Sequence, residues 1–295
     1  MAEVIAVFGP TASGKSAAAI ELARTLDGEI VSCDAMQLYR GLPILTNQPS
    51  EADLAQTPHH LVAVWPLSHE GSVAEFGEMA RAAVDDVVGR GRTAILCGGG
   101  GLYLRAALAP LELPPPPTPG VRERFAELYD QRGAEATHAL LAERDPRAAA
   151  SVHPNDRRRV VRALELAELG ASLVPAEDAL WQRHDLRRTL VFGLTVDPGA
   201  VNERIAQRTR EMFERGVEDE VRSAIRGPLS STAGRIHGLQ DVRALLAGEI
   251  GRDEAIARLD GRTRRYAKRQ RVWMRRLPDL IAVGSSDEML ARAAA

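Results

Sequence analysis

Residues Gly9–Ser16 read GPTASGKS, which fits G-x-x-x-x-G-K-[ST], and they stand between an apolar run, Val4–Phe8, and a helically spaced segment, Ser16–Leu26. No other stretch limits the fold as strongly. A buried strand, a glycine-rich turn and a helix must follow one another so that backbone N–H groups turn inward and the helix presents its positive end to an anion. Gly9, Pro10, Thr11, Ala12, Ser13, Gly14, Lys15 and Ser16 are therefore the expected phosphate-binding residues. The Lys15 ammonium neutralises phosphate oxygens in such a loop, and the Ser16 hydroxyl is the expected ligand of Mg2+. Composition adds weight to Lys15. Of 38 Lys+Arg, only Lys15 and Lys268 are lysine. A compact ammonium suits a phosphate cradle where a planar guanidinium is too wide.

Beyond the loop, Glu29–Ser32 reads as a second strand, running on to Asp34. After an irregular stretch with Pro43, Pro49 and Pro58, Val73–Val88 reads as a helix and Thr93–Cys97 as a third strand that runs into Gly98–Gly101. Strands alternating with helices at these spacings predict a parallel sheet with helices on both faces. The proline run Leu113–Pro119 interrupts the rhythm and marks a boundary. From Gly120 to about Asp185 only helical patterns occur. The sheet signal resumes at Thr189–Val196, followed by helices over Asn202–Arg226, Leu239–Leu246 and Glu254–Arg276 and a short strand at Leu280–Val283. The expected fold class is α/β, a P-loop NTPase-like parallel sheet flanked by helices, with an all-helical insertion. Residues 1–113 and 186–295 make up the expected core domain and 114–185 the insertion domain.

Two cysteines, Cys33 and Cys97, cannot build a disulfide framework or a zinc site, and both read as inert core residues in a reducing cytosol. The N-terminal MAEVIAVFGP lacks the charged region and long apolar stretch of a leader, and no run reaches the length of a membrane span. A soluble, cytoplasmic chain is expected. The seven histidines, His59, His60, His69, His138, His153, His184 and His237, show no metal-ligand spacing and read as surface or capping residues.

A formal charge of -2 excludes a generic coat for nucleic acid or membranes. The charge is nevertheless sorted. Arg262–Arg276 holds eight basic residues and no acid, with Tyr266, Trp273 and Met274 among them. Arg157, Arg158, Arg159 and Arg162 open a second basic helix, where Glu165 offers part of the charge a salt bridge at helical spacing. Such clusters suit either solvent or a polyanion.

Kinases and NTP hydrolases end a strand in an acid that supports metal and water. Thr93–Cys97 ends in Gly98 instead. The acid at a strand end is Asp34, near the loop if the second strand lies beside the first. General base, outer-sphere support for Mg2+ and plain helix cap are all open to it. Gly98–Gly101 serves equally to bring backbone amides against a ligand or to make a sharp turn.

GPTASGKS (Gly9–Ser16), SCDAMQLYRG (Ser32–Gly41), HHL (His59–Leu61), GGGGLYLRAAL (Gly98–Leu108), HPNDRRRVVRALEL (His153–Leu166) and TRRYAKRQRVWMRR (Thr263–Arg276) occur in an order and spacing that resemble one family. Over essentially its full length the chain is similar to the tRNA dimethylallyltransferases, the bacterial tRNA isopentenyltransferases. The resemblance implies Mg2+-dependent transfer of a dimethylallyl group from dimethylallyl diphosphate to N6 of the adenosine 3′-adjacent to the anticodon, with diphosphate released at Gly9–Ser16. It implies Asp34 as the general base, and contacts to the tRNA anticodon stem-loop from Asp34, Ala35, Met36 and Gln37. Further implied contacts are Gly100, Arg122, Arg157, Arg158, Arg159, Val160, Val161, Arg235, Ile236, His237, Gly238, Leu239 and Gln240. No membrane is involved, and a monomer is expected.

The chain also departs from the family pattern. Gly100 replaces the threonine of the usual GGTG, Ala35 the serine of DS, Gln48 the lysine of TAKP and Leu239 the tyrosine of GY. Two rival readings are a P-loop small-molecule or nucleotide kinase, and a catalytically impaired RNA-binding homologue.

Overall fold

The apolar run Val4–Phe8 is buried along its whole length and forms the strand that feeds the phosphate loop. The computed structural model describes residues 3–111, 113–116, 119–174 and 185–294. His184 and part of the Leu113–Pro119 run lie outside the described residues. In chain order the elements are β1 (Val4–Phe8), α1 (Lys15–Thr25), β2 (Gly28–Ser32), α2 (Glu51–Gln56), β3 (His59–His60), α3 (Val73–Gly89), β4 (Thr93–Gly98) and α4 (Gly101–Leu108). There follow α5 (Val121–Arg144), α6 (Pro146–Ser151), α7 (Arg157–Glu168), β5 (Thr189–Leu194), α8 (Pro198–Glu214), α9 (Val217–Ala224), α10 (Leu239–Leu246), α11 (Arg252–Met274), β6 (Ile281–Val283) and α12 (Ser286–Ala294). The chain divides into two compact units, Met1–Leu111 with Arg183–Ala295, and Glu112–Gln182.

The first unit is an α/β layer built on a six-stranded sheet in the order β3-β2-β4-β1-β5-β6. Every pairing is parallel. Ile5, Val7 and Phe192 from the sheet pack with Ala19 and Leu22 of α1 in its core. One expectation fails. β2 does not lie beside β1, because β4 stands between them, with Val7 opposite Cys97 and Ile30 opposite Ile95. Consecutive strands are usually neighbours, but the central place goes to the strand whose residues between Thr93 and Gly98 carry no charge. β2 carries Glu29 and lies one place further out, within reach of Arg90 and Arg92.

Four elements were not expected, α4 over Gly101–Leu108 among them. β3 is two residues long and has no period to read. α2 begins at a capping box in which Ser50 and Asp53 satisfy each other's backbone N–H. α12 closes the described chain. The helix expected over Asn202–Arg226 is two helices, since Gly216 takes a left-handed φ of 89° between α8 and α9.

Glu29 is 2% exposed and is bound by three partners. Arg90 binds its Oε1 at 2.5 Å, Arg92 the same oxygen at 2.6 Å and His60 its Oε2 at 2.7 Å. These bonds, Arg90's above all, hold its pKa down at about 2. An acid depressed in the folded state stabilises fully above its unfolded value of 4.5 and loses that contribution as pH falls toward 2. The shift corresponds to about 3 kcal/mol. Glu29→Gln is accordingly expected to cost about 2–3 kcal/mol at pH 7 and nearly nothing at pH 2, as read from urea denaturation at the two pH values.

In the second unit α5 packs along α7 around Phe125, Leu141, Val160 and Leu164. α5 is bent at Gly133, whose φ of 80° and ψ of 174° leave the helical region. Asp145 and Asp156 cap α6 and α7, accepting from the N–H groups of Ala148 and Arg159. Glu165, fully buried, binds Arg162 at 2.8 Å and Arg122 at 3.1 Å. Val160 and Val161 are core residues at 0% and 4% exposure, so their side chains do not offer the RNA contact expected of them. A helix of 3.6-residue period that exposes Arg157–Arg159 turns the next two positions inward.

Candidate active site

All strands of a parallel sheet end on one side, so β1, β2 and β4 deliver the phosphate loop, Asp34 and the glycine run to the same edge. Asp34 reaches the loop although β2 is not β1's neighbour. β4 ends at Gly98, where a Cβ would lie 2.4 Å from the Cys33 carbonyl oxygen. Its absence lets the end of β2 close in, and the Cys33 N–H donates to the Cys97 carbonyl at 2.8 Å.

A cavity of about 370 Å³ opens at this edge. Thr11, Ala12, Gly14, Lys15 and Ser16 line it, whereas Gly9, Pro10 and Ser13 do not. The missing three shape the loop. The Ser13 N–H closes a turn on the Pro10 carbonyl at 3.2 Å, and a Cβ on Gly9 would stand 2.8 Å from the Ser13 hydroxyl. Gly14 starts α1 in the left-handed region at φ 95°, without a side-chain cap or an acid in the first turn. The first-turn N–H groups of α1 have no intrahelical acceptor, and Lys15, Ser16 and Ala17 line the cavity. They form the anion cradle.

Burial pushes the Lys15 pKa down, opposed in part by the Asp34 charge. The side chain still opens onto the cavity, so an anion arriving there meets a poorly solvated ammonium. Asp34 lines the same wall and its Oδ1 accepts the Met36 N–H at 2.9 Å. No helix begins here, so Asp34 closes a turn and is not the helix cap considered from sequence; the turn occupies one oxygen only. For Mg2+ the donor set fits: the Ser16 hydroxyl and the Asp34 carboxylate line one cavity and are hard oxygen donors. The Ser13 hydroxyl, buried beneath the loop, has no hydrogen-bond partner among the described residues.

Several site residues were not singled out from sequence. Arg208 of α8 donates to the Thr11 hydroxyl at 2.6 Å, and Arg204, one turn earlier, reaches the carbonyls of Ala12 and Ser13 at 3.5 Å. Their spacing on one helix face was the available signal. Gln270 of α11, 1% exposed, accepts the Thr11 N–H at 2.8 Å, which removes that amide from the phosphate donors. Gly99 makes room for it, since a Cβ there would lie 2.1 Å from Gln270 Nε2. Gly100 is different: its nearest neighbours, Tyr103 Cβ and the Tyr266 hydroxyl, lie 3.8 Å and 4.0 Å from a built Cβ. A threonine side chain has space there.

The basic helix α11 divides in two. Arg262 and Arg264 are tied to Asp241 and Asp260 at 2.8 Å and 2.7 Å. Arg265, Lys268 and Arg269 are exposed, and with Arg262 and His237 they line a shallow groove. His237 also lines the cavity, stacked on Tyr266 with ring centroids 4.9 Å apart, so groove and cavity adjoin. Burial, then the nearby Arg269 charge, pushes the His237 pKa down. Met36, Gln37 and Ile236 belong to the cavity wall as well, and Ala35 lies half-buried beside them in the chain. Arg235 and Gln240 are exposed. Gly238 and Leu239 are buried, and the Leu239 side chain, fully enclosed at the start of α10, is a core residue and not the expected contact. In the other unit Arg157 is bound to Asp130 at 2.6 Å, whereas Arg158 and Arg159 are exposed with no acidic partner among the described residues.

Among the described residues no helix is long and apolar enough to cross a membrane, and no group of three or more His, Cys, Asp or Glu side chains is placed to hold a metal.

The family described as IPP transferase matches residues 37–277. A tRNA dimethylallyltransferase of Salinispora arenicola is 43% identical over 96% of this chain and 82% of its own length. One of Streptomyces coelicolor is 42% identical over 93% and 88%. A crystal structure of the tRNA isopentenylpyrophosphate transferase of Bacillus halodurans superposes with a TM-score of 0.72 at 31% identity, covering 99% of this chain and 94% of that one. A eukaryotic dimethylallyltransferase captured acting on tRNA gives 0.77 at 26% identity, covering 100% and 77%. A phosphate loop, an acid at the end of β2 and a sequence related to these enzymes nearly throughout lead to one conclusion: the chain belongs to the IPP transferase family, and it is a transferase.

Proposed function

We propose that the chain transfers a dimethylallyl group from dimethylallyl diphosphate to N6 of the adenosine 3′-adjacent to the anticodon of tRNA. The observation that carries the reading is Asp34 and Lys15 on the wall of one cavity in a member of this family. The adenine amine is a weak nucleophile because its lone pair is delocalised, and the Asp34 oxygen not engaged by Met36 takes the amine proton as the N6–carbon bond forms. The carbon–oxygen bond to diphosphate breaks in the same displacement. Lys15, the first-turn N–H groups of α1 and Arg208 hold the charge that develops on the leaving group. Ser16 would hold Mg2+, which when bound would further neutralise the diphosphate.

The target base must leave its stack to enter the cavity, which costs less in an anticodon loop than in a duplex. The groove of His237, Arg265, Lys268 and Arg269 adjoins the cavity and suits the RNA backbone there. Arg158 and Arg159 supply free positive charge in the insertion. The enzyme is cytoplasmic and monomeric in this reading. A kinase reading finds no support, since β4, the neighbour of β1, ends in glycine where a metal-supporting acid would stand.

The test is mass analysis of tRNA nucleosides after incubation with purified protein, dimethylallyl diphosphate and Mg2+. The expected product is an adenosine heavier by one dimethylallyl group. Unmodified adenosine alone, with tRNA still bound, would leave an RNA-binding homologue that has lost catalysis.

A further inference from the structure

One carboxylate away from the phosphate end fixes part of the cavity wall. Glu220, half-buried on α9, accepts the Ile44 N–H with Oε1 at 2.6 Å and the Leu45 N–H with Oε2 at 2.8 Å. Burial pushes its pKa up, and the two N–H donors oppose that shift. The same segment is gripped at its other end. Gln37 donates to the Asn47 carbonyl at 2.7 Å, and Gln48 donates to the Tyr39 carbonyl at 2.7 Å. Loop backbone is seldom held this fully, and here the result is one side chain placed in the wall.

That side chain is Leu45. A Cβ on Gly238 would lie 3.0 Å from Leu45 Cδ1 and 2.6 Å from Leu259 Cδ1, so the two leucines meet over a residue that has no side chain. Leu45, Leu259, Ile236 and Met212 are the large, buried aliphatic side chains of the cavity wall. A prenyl diphosphate anchored at the α1 N-terminus can lay its hydrocarbon chain against these four side chains. Leu259 and Met212 stand on helices and Ile236 and Leu45 on loops, and the position of Leu45 depends on the Glu220 carboxylate.

We propose that Leu45, held in place by Glu220, sets the length of prenyl chain that the cavity accepts, with Glu220 as a positioning residue. The inference rests on the prenyl-transfer reading. A hydrophobic wall discriminates by about 10- to 200-fold per methylene when it cannot yield. Geranyl diphosphate carries a longer chain than dimethylallyl diphosphate and meets that wall. Shortening Leu45, or freeing its backbone, removes the obstacle.

The experiment measures kcat/KM for geranyl and dimethylallyl diphosphate with tRNA in wild type, Leu45→Ala, Glu220→Ala and Glu220→Gln. The ratio of the two values does not depend on how much of each preparation is folded, so a merely structural role leaves it unmoved. The geranyl-to-dimethylallyl ratio is expected to rise at least about tenfold in Leu45→Ala and in Glu220→Ala, and less in Glu220→Gln, which keeps one acceptor. An unchanged ratio in Leu45→Ala overturns the length-setting role. A raised ratio there with no change in the Glu220 variants overturns the part given to Glu220, and Glu220→Gln serves alone if Glu220→Ala does not fold. Wild type inactive with both donors overturns prenyl transfer itself, an outcome distinct from either.

Discussion

Asp34→Asn is expected to lower kcat for prenyl transfer by about 10²–10⁴-fold, the usual contribution of a positioned general base. Its tRNA dissociation constant should stay within about twofold, because base removal acts on the chemical step and not on ground-state binding. Asparagine is the informative replacement. Its side-chain oxygen can still accept the Met36 N–H that Asp34 Oδ1 accepts at 2.9 Å, so the turn at the end of β2 survives. Alanine would remove turn and base together. Single-turnover transfer alongside a tRNA binding isotherm separates the effects. Undiminished turnover in Asp34→Asn would reduce Asp34 to a turn residue.

Lys15→Ala is expected to lower kcat by about 10²–10³-fold, the scale found when one donor to a developing oxyanion is removed. Lys15→Arg should recover little of it, since a wide, planar guanidinium does not fit among oxygens already met by the α1 N–H groups. Stability should not fall. The ammonium is held in surroundings that push its pKa down, so folding works against its charge at neutral pH, and the alanine variant escapes that cost. Thermal unfolding together with donor KM and kcat provides the check. A variant that melts lower but turns over normally would contradict both halves.

Asp34 and Lys15 were legible in the sequence for different reasons. Lys15 follows from a motif whose flanking strand and helix had to be where they are. Asp34 followed from a neighbour relation between β1 and β2 that the sheet does not contain, and it reached the cavity because Gly98 has no side chain to keep Cys33 away. Strand order is a property of long-range pairing and leaves no local mark. The same holds for Arg208 and Gln270: each lies about 200 residues or more along the chain from the loop it touches. The family resemblance also overstated two surfaces. Val160, Val161 and Leu239 follow basic residues or a glycine in the chain, yet helix period turns them into the core. Glu165, read as a salt-bridge partner for the arginines around it, is paired with Arg122 as well, a residue from another helix.

The Gln270 contact divides α11 lengthwise in a way that matters to anyone redesigning this enzyme. Ala267 and Gln270 are buried on one edge, and Gln270 grips the Thr11 amide, while Arg265, Lys268 and Arg269 stand exposed on another. The helix is therefore both a girder for the phosphate loop and a replaceable charged façade. Libraries that vary residues 265, 268 and 269 can alter affinity for a polyanion while the loop keeps its shape, whereas a change at position 270 loosens the loop whatever charge the façade carries.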